Sequence, residues 1–182
     1  EALKRAKTDA ADVDEVLLGQ ILTAGAGQNP ARQAAIEAGI PVEATAVQIN
    51  QLCGSGLRTV AMGMQSVKLG DTDVVVAGGQ ESMSQAPHCA HLRNGQKMGD
   101  LSFIDTMIRD GLWDAFNGYH MGNTAENVAK KFQITREQQD DYAQSSMERA
   151  KQATKQGLFD SEITPITLTT RKKTTTLSHD EG

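Results

Sequence analysis

Between residues 13 and 79 short apolar runs alternate with stretches of helical spacing, and that alternation restricts the chain to an α/β fold built on a parallel sheet. Residues 13–21, VDEVLLGQI, read as a strand around Val16, Leu17 and Leu18. Asn29-Pro30 then opens a helix, since Asn suits an N-cap and Pro the first helical position. That helix ends at Gly39, where a left-handed residue is expected. Residues 45–49 read as a second strand. Cys53-Gly54-Ser55-Gly56 is a turn, and Leu57, Val60, Ala61 and Met64 follow helical spacing as far as Gly70. Residues 73–77, DVVVA, form a continuously apolar run of the buried parallel type.

The alternation stops at Gly78-Gly79. Residues 80–122 are rich in Met, His, Gly and Asp, with one short helical piece expected near residues 103–108. A connection of that length is functional or an inserted subdomain. Two helices follow, over 124–132 and 135–156. The second carries a capping box, Thr135 with Gln138 three residues on. A strand is expected over 162–168, and the stretch from Arg171, Lys172 and Lys173 onward reads as polar and solvated. The chain opens on Glu rather than Met and within a helical pattern, so it is expected to be part of a longer polypeptide.

Composition narrows the function classes. The net charge of the 182 residues is −5, so no broad basic field advertises a nucleic acid partner. No stretch approaches the roughly 20 apolar residues that span a bilayer, so no membrane association is expected. Two cysteines, Cys53 and Cys89, do not make a disulfide framework, which points to a reducing, cytoplasmic compartment.

Cys53 is the residue with the strongest chemical signal. It stands between a strand and a helix N-terminus, where unsatisfied N–H groups favour an anion and so the thiolate form. The glycines and serine after it leave room for a carbonyl to approach the backbone. Its own N–H is a candidate oxyanion donor. An isolated cysteine is more often a buried core residue, so placement alone leaves both readings open. His88, Cys89 and His91 form a short His-Cys-x-His cluster without a fourth ligand nearby, and no metal is assigned to it.

Residues 50–88, NQLCGSGLRTVAMGMQSVKLGDTDVVVAGGQESMSQAPH, resemble the nucleophile region of the thiolase family. GQNPARQA before them and YHMGNTAENVAKKF after them resemble further thiolase segments, in order and in register. HCAHLRNGQKMGD and FIDTMIRDGLWDAF are most similar to biosynthetic, short-chain members. The resemblance implies a layered α/β fold of two similar halves with an inserted loop domain. Residues 1–82 would be a partial N-terminal domain carrying the nucleophile, and 83–182 an incomplete loop domain serving coenzyme A binding and tetramerisation.

It implies Cys53 as the acyl-carrying nucleophile, and Leu112, His120 and Met121 as the lining of the coenzyme A pantetheine and acyl pocket. The implied reaction condenses two acetyl-CoA to acetoacetyl-CoA, reversibly, through a cysteine thioester. Coenzyme A is then substrate and product, with no permanently bound cofactor. The implied partner is a second copy of the chain, a homo-oligomer built as a dimer of dimers, with the loop near residues 88–100 joining the pairs. The family's Gly-His-Pro and Cys-x-Gly motifs do not occur in these residues, so the 182-residue piece is expected to be inactive alone and prone to aggregate. A degradative 3-ketoacyl-CoA thiolase and a non-catalytic acyl-CoA- or lipid-binding relative are the alternatives.

Overall fold

In a computed structural model, which describes residues 1–171 and 173–180, the chain divides into two compact units, residues 2–123 and residues 124–182 with Glu1. Lys172, within the basic stretch expected to be solvated, lies outside the described residues, as do Glu181 and Gly182.

The first unit is organised by a three-stranded parallel sheet. Its strands are β1 (Glu15–Gly19), β2 (Thr45–Ile49) and β3 (Val75–Gly79), in the order β2-β1-β3. Val16 pairs with Ala46 on one side and Val76 on the other, and Gly19 with Ile49 and Gly79. The central strand therefore has two neighbours, and its Val16 and Leu17 are each only 2% exposed. A short helix α1 (Ala2–Ala6) precedes the sheet, α2 (Pro30–Glu37) links β1 to β2, and α3 (Ser55–Leu69) links β2 to β3.

The chain moves one way across the sheet from β1 to β2 and back past β1 to β3, so right-handed crossovers place α2 and α3 on opposite faces. On the α2 face Val16 and Ala35 form a core with Val13, Ile40 and Ala44, joined by Leu18, Ala46 and Val76. Asn29 caps α2 as expected, its side chain accepting from the Arg32 N–H, and Gly39 follows the helix at φ +83°.

The α3 face is built differently from what its apolar spacing suggests. Leu57, Val60 and Met64, the residues that mark α3 as amphipathic, point outward with exposures of 79, 52 and 52%. The buried stripe is Ser55, Thr59 and Gly63, one residue per turn. The cause is distance. A Cβ placed on Gly63 would lie 3.0 Å from Val75 Cγ1, and one on Gly19 would lie 2.5 Å from Ser55 Cβ and 2.6 Å from the Ser55 carbonyl carbon. Helix and sheet touch almost backbone to backbone, and only small side chains fit between them.

Acidic side chains tie the amino ends of the strands. Asp14 Oδ2 accepts from the N–H groups of Asp73 and Val74 at 2.8 and 2.9 Å, and the Asp14 N–H donates to the Val74 carbonyl at 3.0 Å. The Val74 and Asp73 amides lower the Asp14 carboxyl below its ordinary value of 3.8.

Beyond β3 the first unit continues in short antiparallel pairs. β4 (His88–Cys89) pairs with β5 (Ile104–Asp105), and β6 (Trp113–Asp114) with β7 (Tyr119–His120). The helical piece expected near residues 103–108 is instead β5 followed by a single π-helical turn, Met107–Leu112. Asp105 is the reason for the switch, its carboxylate accepting from the Met107 N–H at 2.9 Å as the strand ends.

Helix α4 (Met121–Lys131) begins three residues earlier than its periodicity suggests. The second unit contains α5 (Arg136–Lys155), opened by the expected reciprocal capping box of Thr135 and Gln138. It closes on a hairpin of β8 (Ile166–Thr169) and β9 (Thr174–Leu177). Thr-Thr pairs across that hairpin give order to a segment whose polar composition carries no strand signal. Among the described residues no helix is long and apolar enough to cross a membrane.

Two measurements check this account. Gly19→Ala should destabilise the protein by about 1–3 kcal/mol through overpacking against Ser55, read as a lowered urea midpoint with unchanged slope. For Asp14 the depressed folded pKa means that its contribution is present above pH 3.8 and is lost as pH falls through the folded value. Asp14→Ala should therefore lower the urea midpoint at neutral pH. The gap from wild type should close as the pH drops below the ordinary carboxylate range.

Candidate active site

Residues 50–55 hold Cys53 through bonds made almost entirely within the segment. As β2 ends at Ile49, the Asn50 side chain accepts from the Leu52 N–H at 2.9 Å. The Ser55 hydroxyl donates to the Leu52 carbonyl at 2.6 Å and accepts from the Gln51 N–H at 2.8 Å. The Gly54 and Ser55 amides donate back to the carbonyls of Gln51 and Leu52. Ser55 is itself buried, at 4% exposure. The turn forces Leu52 to φ +50°, a left-handed conformation that is uncommon for a residue of its size.

Helix α3 starts from this turn with Gly54 as N-cap and without a side-chain cap. Cys53 immediately precedes the cap, is exposed, and is a free thiol. The sulfur is thus presented outward at the amino end of a 15-residue helix, rather than packed in the core as an isolated cysteine usually is.

The turn is anchored on the carboxyl ends of the strands. The Thr59 hydroxyl, with no exposed surface, shares its one hydrogen between the carbonyls of Gly56 and Gly78 at 2.7 and 2.9 Å. A Cβ on Gly79 would lie 3.5 Å from Gly56 Cα. Open parallel sheets bind ligands outside the carboxyl ends of their strands, and the turn lies at that edge of this sheet.

The other expected site residues collect on one small hairpin. Leu112 ends the π-helical turn directly before β6, and His120 ends β7, where it pairs with Trp113. Met121 follows as the first residue of α4. The hairpin loop is shaped by Asp114, which accepts from the Asn117 side chain at 2.8 Å and from the Phe116 and Asn117 amides at 2.9 Å. The Asn117 side chain first, and then these amides, lower the Asp114 carboxyl. His120 Nδ1 accepts from the Gly122 N–H at 3.0 Å, which leaves Nε2 as the nitrogen carrying hydrogen in the neutral ring. Leu112, His120 and Met121 are all partly or well exposed.

One connection between these parts has no sequence signal. Gly111 lies against the segment leaving β1: a Cβ on it would meet Leu22 Cδ2 at 3.8 Å and Ile21 Cγ2 at 4.0 Å. Glu81, just past β3, accepts from both the Ile21 and Leu22 amides. His88 stands 3.9 Å from Asp105 across β4 and β5, and Cys89 is free and exposed. Among the described residues no three His, Cys, Asp or Glu side chains are grouped as metal ligands would be.

The first unit is thus an α/β domain that offers a free cysteine at a strand-to-helix turn, over the carboxyl edge of a parallel sheet. Residues 1–182 match the family model described as "Thiolase, N-terminal domain", and the chain belongs to the thiolase family. It is 62% identical over 179 residues to an acetyl-CoA acetyltransferase of Rhizobium meliloti, covering 98% of this chain and 46% of that one. The crystal structure of the Bacillus anthracis acetyl-CoA acetyltransferase superposes with a TM-score of 0.94 at 38% identity, over 99% of this chain and 46% of that one. A thiolase from Ascaris suum, Acat5, solved in complex with coenzyme A, gives a TM-score of 0.90 at 37% identity, over 99% and 45%. The expected thiolase-like α/β fold is therefore the observed one. The chain spans about half the length of each of these relatives.

Ser55→Ala tests the self-locked turn. It strips the Gln51 amide of its acceptor, an expected loss of about 1–3 kcal/mol in urea unfolding. An unchanged midpoint would mean that the hydroxyl does not hold the turn.

Proposed function

We propose that the protein containing this chain is an acyltransferase that condenses two acetyl-CoA to acetoacetyl-CoA, and runs the reverse thiolysis, with Cys53 as nucleophile. The observation that carries this reading is the exposed Cys53 in a rigid turn at the amino end of α3. The names of the relatives support the substrate class.

The Cys53 thiolate attacks the thioester carbonyl carbon of acetyl-CoA. The new carbon–sulfur bond forms as the bond to coenzyme A breaks, and coenzyme A leaves as its thiolate, which takes up a proton. A second acetyl-CoA, deprotonated at its α-carbon, attacks the acetyl group on Cys53. Acetoacetyl-CoA forms and the cysteine sulfur is released. The Cys53 N–H is a candidate donor to the carbonyl oxygen as charge develops there.

Leu112, His120 and Met121 are assigned to the wall that receives the pantetheine and acyl chain. Their shared hairpin, the apolar Leu112 and Met121, and the Nε2–H donor on His120 support that role. Residues 1–82 act as part of the catalytic domain and 83–182 as part of the loop domain. Coenzyme A is substrate and product, and no permanently bound cofactor is assigned. The outward apolar stripe of α3, Leu57, Val60 and Met64, suits a protein in which a further layer covers it. Assembly as a dimer of dimers, through the segment around residues 88–100, and a cytoplasmic location complete the proposal. Two free cysteines fit a reducing compartment.

The test is covalent labelling of the full-length protein with radiolabelled acetyl-CoA. Wild type should hold one acetyl group, on the peptide containing Cys53. Cys53→Ser should lose the label and the thiolysis of acetoacetyl-CoA, by about 10³-fold or more, while Cys89→Ser keeps both. Undiminished labelling of Cys53→Ser would remove Cys53 from the role.

A further inference from the structure

Glu81 stands just past the end of β3 and uses both carboxylate oxygens on the segment that leaves β1. Oε2 accepts from the Ile21 N–H at 2.9 Å and Oε1 from the Leu22 N–H at 3.1 Å. Sheet pairing has ended there, with Gln20 donating to the Ile49 carbonyl and Gln80 to the Gly19 carbonyl. The neighbouring glutamines close the arrangement. Gln20 Nε2 donates to the Leu22 carbonyl at 2.9 Å, and Gln80 Nε2 donates to Gln20 Oε1 at 2.9 Å. Leu22 is thus fixed at both its N–H and its C=O. Charge-assisted bonds to two successive amides set direction as well as position.

Ile21 and Leu22 are half-buried and lie against Gly111, the residue before Leu112. We infer that Glu81 is a positioning residue for the acyl-CoA pocket: by gripping the Ile21 and Leu22 amides it fixes the surface against which the Gly111–Leu112 wall packs. This rests on the thiolase reading and on the assignment of Leu112 to the pocket. The turn that presents Cys53 makes its own bonds among Asn50, Gln51, Leu52 and Ser55, with none to Glu81. Loss of the Glu81 carboxylate therefore loosens the pocket wall and leaves the nucleophile in place.

That separation can be measured in the full-length enzyme with Glu81→Ala and Glu81→Gln. Glu81→Ala should raise KM for acetoacetyl-CoA about tenfold, with a smaller change in kcat. The rate of Cys53 alkylation by iodoacetamide, followed in a Cys89→Ser background, should stay within about twofold, since the turn keeps its bonds. Glu81→Gln, which retains one acceptor oxygen, should fall between the two and serves as the control should the alanine variant fold poorly. Hydrogen exchange of the Ile21 and Leu22 amides should be slow in wild type and fast in Glu81→Ala. An unchanged KM, or KM and alkylation moving together in both variants, overturns the inference while leaving Cys53 acylation intact. A wild-type enzyme that neither acylates Cys53 nor turns over acetoacetyl-CoA overturns the thiolase reading, and the inference with it.

Discussion

The contact on which the rest depends is the seating of the first turn of α3 on the carboxyl ends of β1 and β3. Gly19 allows it because it carries no Cβ, and Gly56 and Gly79 lie against each other where a Cβ would meet its neighbours at 3.5–3.8 Å. At Gly19 even one methyl group would collide with the backbone of Ser55. With side chains removed from the interface, the helix is fixed by hydrogen bonds instead. Thr59 spans from the helix to the Gly78 carbonyl, and the Ser55 hydroxyl folds the preceding turn onto itself. The turn cannot retreat into the sheet, so Cys53 stands proud of it. A bulkier interface would tilt the helix away and carry the sulfur with it.

The same constraint explains what the sequence revealed and what it concealed. Strands β1 and β2 and helices α2 and α5 were legible because their signals are local: apolar runs, Asn-Pro, Gly39, and the Thr135–Gln138 box. The boundaries of α3 were legible too, but its packing was not. Apolar spacing identifies the face that seeks burial, and in these residues that face is turned outward, while a serine, a threonine and a glycine are buried. The stripe Ser55, Thr59 and Gly63, taken with Gly19 and Gly79, is the sequence signal for close packing of small residues. The π-helical turn at Met107–Leu112 and the strand β9 depend on the Asp105 side chain and on threonine pairing, neither of which periodicity registers.

Of the candidate site, the position of Cys53 was readable from a short motif, because strand end, turn and helix start all lie within a few residues. Glu81 was not. Its partners are 60 and 59 positions away, and nothing in GGQESMS distinguishes a clamp from a solvated carboxylate. Only the parallel alignment of β1 with β3 brings the two strand exits together.

Carboxylates recur as backbone fasteners throughout the first unit. Asp14 binds two successive amides at the amino ends of the strands, Glu81 two at the carboxyl ends, and Asp114 two in the hairpin before His120. Asp14 and Glu81 join distant segments where regular pairing has stopped, Asp114 shapes its own loop, and each leaves the adjacent backbone defined without covering it. That is a suitable way to build a site at the edge of a small sheet, because apolar packing there would fill the space a substrate needs. It also separates two tasks. The cysteine turn is held by residues 50–55 and by the glycine contacts beneath it, whereas on the proposed reading the wall containing Leu112 takes its position from the β1 exit through Glu81. On the proposed reading, the fit of the acyl chain can then be altered at Ile21, Leu22 or Gly111 without moving the sulfur that carries it.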